Sequence, residues 1–310
     1  MGRIVLNEVE FKFEKVNDQL GETGVLNQNL FLNNDALTEV EMETIAVIEA
    51  GAFKRCSNLK KAIFPKCVLL GEEAFNWNRG LTDVILNEAL TEIKNNTFEY
   101  CDNLKNINLS SSLEKVGDNA FYGCSKLTTI DAVLNNLREI GDFGFSGCYN
   151  LDLKFDINKI TKIGRGGFQL CNNLKLSTFP PNLEALEENQ FQGCSLCTFD
   201  SIPNRFKELP RFIFIHTGVA FKNLPFIKKF GEVCLGYCKN LTTLTLGSKG
   251  NPVEYITPHD FTGSNPSKWT SGSFYSSTNL ISLTIYTTGG QPLAGAPWGA
   301  TNATITYLPA

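Results

Sequence analysis

Phenylalanine recurs at positions 53, 75, 98, 121, 145, 168, 191 and 214, at intervals of 22, 23, 23, 24, 23, 23 and 23 residues. A period this short and this regular constrains the fold more tightly than any local motif, because a unit of about 23 residues cannot enclose a core by itself. Other positions keep phase with the ring. Five residues before it stand Ile48, Leu70, Ile93, Val116, Ile140, Ile163, Leu186 and Leu209, and eight before it a second apolar position recurs. Three after it stand Cys56, Cys101, Cys124, Cys148, Cys171 and Cys194, with Asn78 and Thr217 as exceptions. Six after it stand Leu59, Leu81, Leu104, Leu127, Leu151 and Leu174. The slot of the ring continues through Leu235 and Phe261, with Phe274 as a second candidate after an insertion.

The physics of the period selects a solenoid, in which each coil buries its faces against the next and stability sums over neighbours. One side of each coil reads as a strand. In Leu104-Lys-Asn-Ile107-Asn-Leu109 the apolar residues alternate inward and Asn106 and Asn108 point out, and Leu241-Thr-Thr-Leu244-Thr-Leu246 repeats the pattern. Successive coils then pair these strands in parallel. The phenylalanines are expected to stack as a second apolar spine on the opposite, convex side.

These residues carry a family resemblance. The unit, seen most clearly in IGDFGFSGCYNL and VGDNAFYGCSKLTTI, resembles the leucine-rich repeats of the bacterial BspA-like class over about residues 25–286. The resemblance implies a leucine-rich-repeat solenoid of right-handed coils, with a parallel β-sheet on the concave face and irregular or short helical turns on the convex face. It also implies an exported or cell-surface protein that binds host or partner macromolecules. Ala220 in a leucine slot and the insertion Gly263–Ser273 depart from the pattern and make local irregularity expected there.

Residues 1–24 are expected to form an N-terminal cap, with Val9-Glu-Phe11-Lys-Phe13 as an alternating strand, and residues 287–310 a C-terminal cap without a repeat. The segment GAPWGATNATITYLP resembles C-terminal closing segments of repeat proteins encoded in phage and prophage tail regions, which implies an alternative role in tail-associated recognition. The N-terminal stretch lacks a basic region followed by an apolar one and is not expected to be a signal peptide.

Ten cysteines invite a disulfide or zinc reading, yet the repeat places nine of them in apolar or Cys slots and leaves only Cys234 out of register. A column of small, buried, reduced thiols accounts for them, and side chains running side by side in a parallel stack suit a disulfide poorly. Cys194, Cys197, Cys234 and Cys238 offer four thiolates only on paper, since three are already assigned to repeat slots. With two histidines in 310 residues, His216 beside the Cys slot and His259 in a turn-like run, and with no nucleophile elbow, zinc-protease helix motif or phosphate loop, no enzyme, cofactor or metal is expected. A net charge of −4 with no basic run argues against nucleic acid, and no apolar stretch approaches the length of a membrane span.

What remains is surface. The outward strand positions form two columns, one of Lys61, Asp83, Asn106, Thr129, Thr243 and Ser282 and one of Asn108, Asp131, Thr245 and Thr284. The face reads as polar, short-chained and free of aromatics. It is the candidate for binding a protein or other cell-surface macromolecule, and Trp269 in the insertion is a candidate loop anchor. The oligomeric state is left open.

Overall fold

A computed structural model describes residues 2–6, 9–13, 24–130, 133–258 and 271–310. The chain divides into two compact units, Met1–Asn173 and Leu174–Ala310. Each is a stack of coils.

In the first unit the main ladder runs Leu37–Met42, Lys61–Ile63, Asp83–Ile85, Asn106–Asn108 and Thr129–Ile130, all parallel and in strict register: Val40, Ala62, Val84 and Ile107 are successive partners. These four are buried, and the residues on either side of each are less so, as a two-residue period demands. Gly2–Leu6 pairs antiparallel with Leu37–Met42, and Val9–Phe13 pairs antiparallel with Gly2–Leu6, so a hairpin covers the edge that the first coil would otherwise leave open.

Each coil carries a second, shorter parallel contact. Val25–Leu26, Val47–Ile48 and Leu69–Leu70 form one ladder, and Glu92–Ile93, Lys115–Val116, Glu139–Ile140 and Lys162–Ile163 another. The buried member of each pair is the residue five before the phenylalanine. Its outward neighbours alternate in charge, Glu92, Lys115, Glu139, Lys162, and Lys115 Nζ lies 2.9 Å from Glu92 Oε1.

The turn side is more regular than short helices or irregular loops. Among the described residues the single helix is a 3-10 turn at Thr288–Gly290. Coil follows coil through backbone bonds such as Phe98 N to the Ala120 carbonyl (2.8 Å), Phe121 N to Gly144 (2.8 Å) and Phe145 N to Gly167 (2.9 Å). Tight bends two residues before and two after the ring hold left-handed backbone, even at Phe143 (φ 55°), Trp77 (φ 61°) and Tyr100 (φ 56°). Because the turns are hydrogen-bonded in register, their side chains must stack. Phe31, Phe53, Phe75, Phe98, Phe121, Phe145 and Phe168 do so, with neighbouring centroids 5.0–5.8 Å apart and ring planes within 13° of parallel. From Phe53 to Phe168 the rings are fully buried.

In the second unit Asn223–Leu224, Thr243–Leu246, Ser282–Thr287 and Thr304–Pro309 form one parallel sheet, and Glu208–Leu209, Lys229–Phe230 and Tyr255–Ile256 another. Phe191 and Phe214 remain near-parallel at 6.1 Å, but Phe179 and Phe199 pack edge-on against both, so the core here is a cluster rather than a single file. After Leu235 the slot of the ring is filled by Phe274, since Leu235 N donates to the Ser273 carbonyl (2.9 Å) as its counterparts do elsewhere. Phe261 lies outside the described residues. Beyond Thr287 the chain adds another strand to the sheet, with Trp298 fully buried.

Candidate binding site

The register places Lys61, Asp83, Asn106 and Thr129 side by side on four adjacent strands. Asp83 is the centre of the column. Its carboxylate accepts from Asn106 Nδ2 at 2.8 Å and from the Thr82 hydroxyl at 2.6 Å. Those two hydrogen bonds, followed by the charges of Lys61 and Lys105, hold its carboxyl below the ordinary value. The column thus presents an anion held by hydrogen bonds beside Lys61, with the amide of Asn106 anchored to it.

The second column differs from the polar strip expected. Glu41, Ile63, Ile85 and Asn108 are the register partners, and Ile85 is 41% exposed. Inward β-branched side chains are needed to fill the coil, but these two isoleucines point outward and give the face an apolar stripe. Asn108 is engaged: its Nδ2 donates to the Leu86 carbonyl (2.9 Å) while its Oδ1 accepts from Leu86 N (2.7 Å). Asn108 therefore splints two coils and has little left to offer a partner. Asp131 and Trp269 lie outside the described residues, and only the backbone of Thr129 is described.

In the second unit Thr243 pairs with Ser282, which pairs in turn with Thr304, and Thr245 pairs with Asn223 and with Thr284, which pairs in turn with Thr306. The expectation of an aromatic-free face is corrected here, because Tyr286 follows Ser282 and Thr284 on the same, partly exposed side of its strand. The two strips of candidate residues belong to different units, and each is a short column of its own.

The cysteine slot has a chemical role that size alone does not convey. Cys56, Cys101, Cys124, Cys148 and Cys171 each donate their thiol to the carbonyl of the phenylalanine in the preceding coil, at 3.0–3.2 Å, and Cys238 does the same to Phe214 at 3.2 Å. Ser277 in the same slot donates to the Leu235 carbonyl at 2.6 Å, and Asn78 instead accepts from Cys56 N at 2.7 Å. The slot therefore wants a small hydrogen-bonding group. None of the ten cysteines is joined in a disulfide, and all ten are buried. Burial pushes the Cys67 thiol up to about 11 and those of Cys56 and Cys238 up to about 12, so these three stand as neutral donors rather than nucleophiles or metal ligands. Among the described residues no three acidic, Cys or His side chains gather as a metal site. His216 stacks on Tyr237 at 4.3 Å, and burial lowers its pKa; His259 lies outside the described residues.

Sequence reasoning missed an outward column on the turn side. Two residues after the buried ring stand Arg55, Trp77 and Tyr100, and the stack continues through Tyr122 to Phe143: Trp77–Tyr100 at 4.5 Å, Tyr100–Tyr122 at 5.3 Å, Tyr122–Phe143 at 6.3 Å. Guanidinium groups lie over its ends, Arg79 at 4.7 Å and Arg55 at 6.0 Å from the Trp77 ring and Arg165 at 5.1 Å from Phe143. The sequence signal is partial: Arg55, Trp77 and Tyr100 share the slot two after the ring, but Tyr122 and Phe143 enter the stack from one after and two before it, so no single slot traces the column.

A family model described as the BspA type leucine-rich repeat region matches residues 24–152 and 161–282 with six copies. Among solved structures, the chain is similar to a leucine-rich repeat protein from Bacteroides ovatus, at 20% identity and a TM-score of 0.59, over 96% of this chain and 89% of that one. It is also similar to the leucine-rich repeat protein of Treponema pallidum, at 20% identity and a TM-score of 0.44, over 67% of this chain and 85% of that one. At such identity the likeness to the Bacteroides protein is one of fold. No curated protein matches the sequence.

Proposed function

Because the chain belongs to the BspA-type leucine-rich-repeat family, we propose that it is a non-enzymatic scaffold at the bacterial surface or outside it, whose sheet face docks a protein or other cell-surface macromolecule. The observation that carries this reading is the surface made by Lys61, Asp83 and Asn106 beside Ile63 and Ile85. A hydrogen-bonded carboxylate beside a lysine, next to the partly exposed Ile63 and the exposed Ile85, has the mixed character of a macromolecular interface. The anchored Asp83 carboxylate adds orientation, because its position is set before any partner arrives. The face is laid out across adjacent strands, which suits a broad partner better than a small substrate.

The C-terminal segment spends Trp298 on the core, with its Nε1 donating to the Ala294 carbonyl at 2.8 Å, so its contribution is to close a coil. The test is binding of the intact chain to a panel of purified host extracellular proteins, with the charge-reversal pair Lys61→Glu and Asp83→Lys compared with the native chain. A partner that loses about tenfold or more in affinity with the pair, while the thermal midpoint holds, supports the face. Equal binding by native and variant chains overturns it.

A further inference from the structure

The turn side of the first unit holds a second candidate site, of different chemistry and independent of the sheet-face reading. Two clefts adjoin there. One, of about 390 Å³, is lined by Asn33, Asp35, Arg55, Ser57, Trp77 and Arg79. The other, of about 400 Å³, shares Asn33 and Arg55 and extends past Lys54 and Gly51. Each lies within the size range of small-molecule sites, and the shared residues join them into one elongated trough.

The lining is selective. Arg55 is exposed and makes no ion pair among the described residues, its guanidinium resting instead 6.0 Å from the Trp77 ring. Arg79 is oriented from two sides, over Trp77 at 4.7 Å and by Asp102 at 3.6 Å. Lys54 is already satisfied by Glu73 at 2.8 Å, which leaves Arg55 as the open cation. A guanidinium presents a planar fork that matches a carboxylate or sulfate group. Asp35, whose Oδ1 accepts from Ser57 N at 3.2 Å, stands in the same cleft; it disfavours any acidic group placed next to it, and its carboxylate can accept hydrogen bonds from hydroxyl groups. Asn33 and Ser57 add short donors and acceptors, and the half-buried indole of Trp77, packed between Tyr100 and the two guanidiniums, contributes an apolar edge to the wall.

A ligand that satisfies all of these at once carries several hydroxyls on a compact frame and an acidic group. We infer that the Arg55–Trp77–Arg79 trough binds an acidic saccharide of at least two sugar units, with a carboxylate or sulfate at Arg55. An acidic peptide fits less well, since the trough is built of turns and offers no open strand edge for a peptide backbone.

The intact chain is applied to an array of glycans bearing uronic acid, sialic acid or sulfated sugars, beside neutral glycans of equal length, and hits are titrated in solution by calorimetry. The expected result is saturable binding to one or more acidic glycans and binding about tenfold or more weaker to the neutral counterpart. Arg55→Gln and Arg79→Gln should each weaken the hit by about tenfold, with thermal midpoints held as the check on folding. Preference between carboxylated and sulfated hits identifies the acidic group. Binding to no acidic glycan, unchanged binding by both arginine variants, or equal competition by inorganic sulfate or a poly-glutamate peptide overturns the proposal. The Lys61→Glu and Asp83→Lys pair should leave glycan binding intact, which separates this site from the sheet face.

Discussion

At the scale of single residues the phenylalanine and the slot three after it act together. The carbonyl of Phe121 accepts Cys124 N of its own coil at 3.1 Å and the Cys148 thiol of the next at 3.2 Å, using both of its lone pairs. The ring meanwhile lies 5.3 Å from Phe98 and 5.2 Å from Phe145. Phe121→Ala therefore opens a cavity that neighbours on both sides cannot close, because their rings are tied to hydrogen-bonded turns. A loss of about 3–5 kcal/mol is expected from urea unfolding at neutral pH. A cost below about 1 kcal/mol would show that the stack is not a rigid part of the core. The aromatic period was visible in the sequence, because such rings have no alternative to burial. The thiol's role as donor was not, since Cys reads equally well as a small apolar residue until the partner carbonyl is in place.

At the scale of the element the coil depends on close approach between successive turns. The glycine four before the ring shows this at Gly141, where an added Cβ would lie 2.7 Å from the backbone nitrogen of Asp118, in the preceding coil, and would also collide with the Asp118 carboxylate. That carboxylate is itself structural, because its Oδ1 accepts Asp142 N at 2.8 Å, one step of a ladder from Asn95 through Asp118 and Asp142 to Arg165. Gly141→Ala is thus expected to cost about 1–3 kcal/mol by overpacking and by breaking one rung, measured as a shift in the denaturation midpoint. No shift would mean that neighbouring coils slide apart freely. A second ladder of asparagines five after the ring, Asn58, Asn103 and Asn150, donates to carbonyls of the preceding coil at 2.8–2.9 Å. The repeat therefore encoded its own cross-links, legible as recurring polar letters but not as bonds, since each bond spans more than twenty residues of chain.

At the scale of the molecule the buried thiols act in concert, and they make stability depend on alkaline pH. A Cys whose pKa is raised on folding keeps its proton in the native state while the unfolded chain loses it, so its contribution is fully present below about pH 9 and is lost as pH rises toward about 12 at Cys56 and Cys238. Each such thiol is expected to cost about 1.4 kcal/mol per pH unit in that window. Unfolding free energies between pH 8 and 11 should fall more steeply than in a chain carrying Cys56→Ala and Cys238→Ala. Parallel slopes would mean that the thiols ionise as readily folded as unfolded.

The sequence alone determined the solenoid, the spacing of its coils, the buried spine and the buried cysteine column, because each is a repeated demand for burial that every copy states again. It also placed Lys61, Asp83 and Asn106 in one outward column, since strand alternation and a constant period leave no other arrangement. Only the tertiary structure decided that Asn108 is consumed as a splint, that Ile63 and Ile85 interrupt the polar face, and that Arg55, Trp77 and Arg79 converge on a cleft. Those outcomes turn on which side chain meets which across neighbouring coils, and contact of that kind has no period of its own from which it could be read.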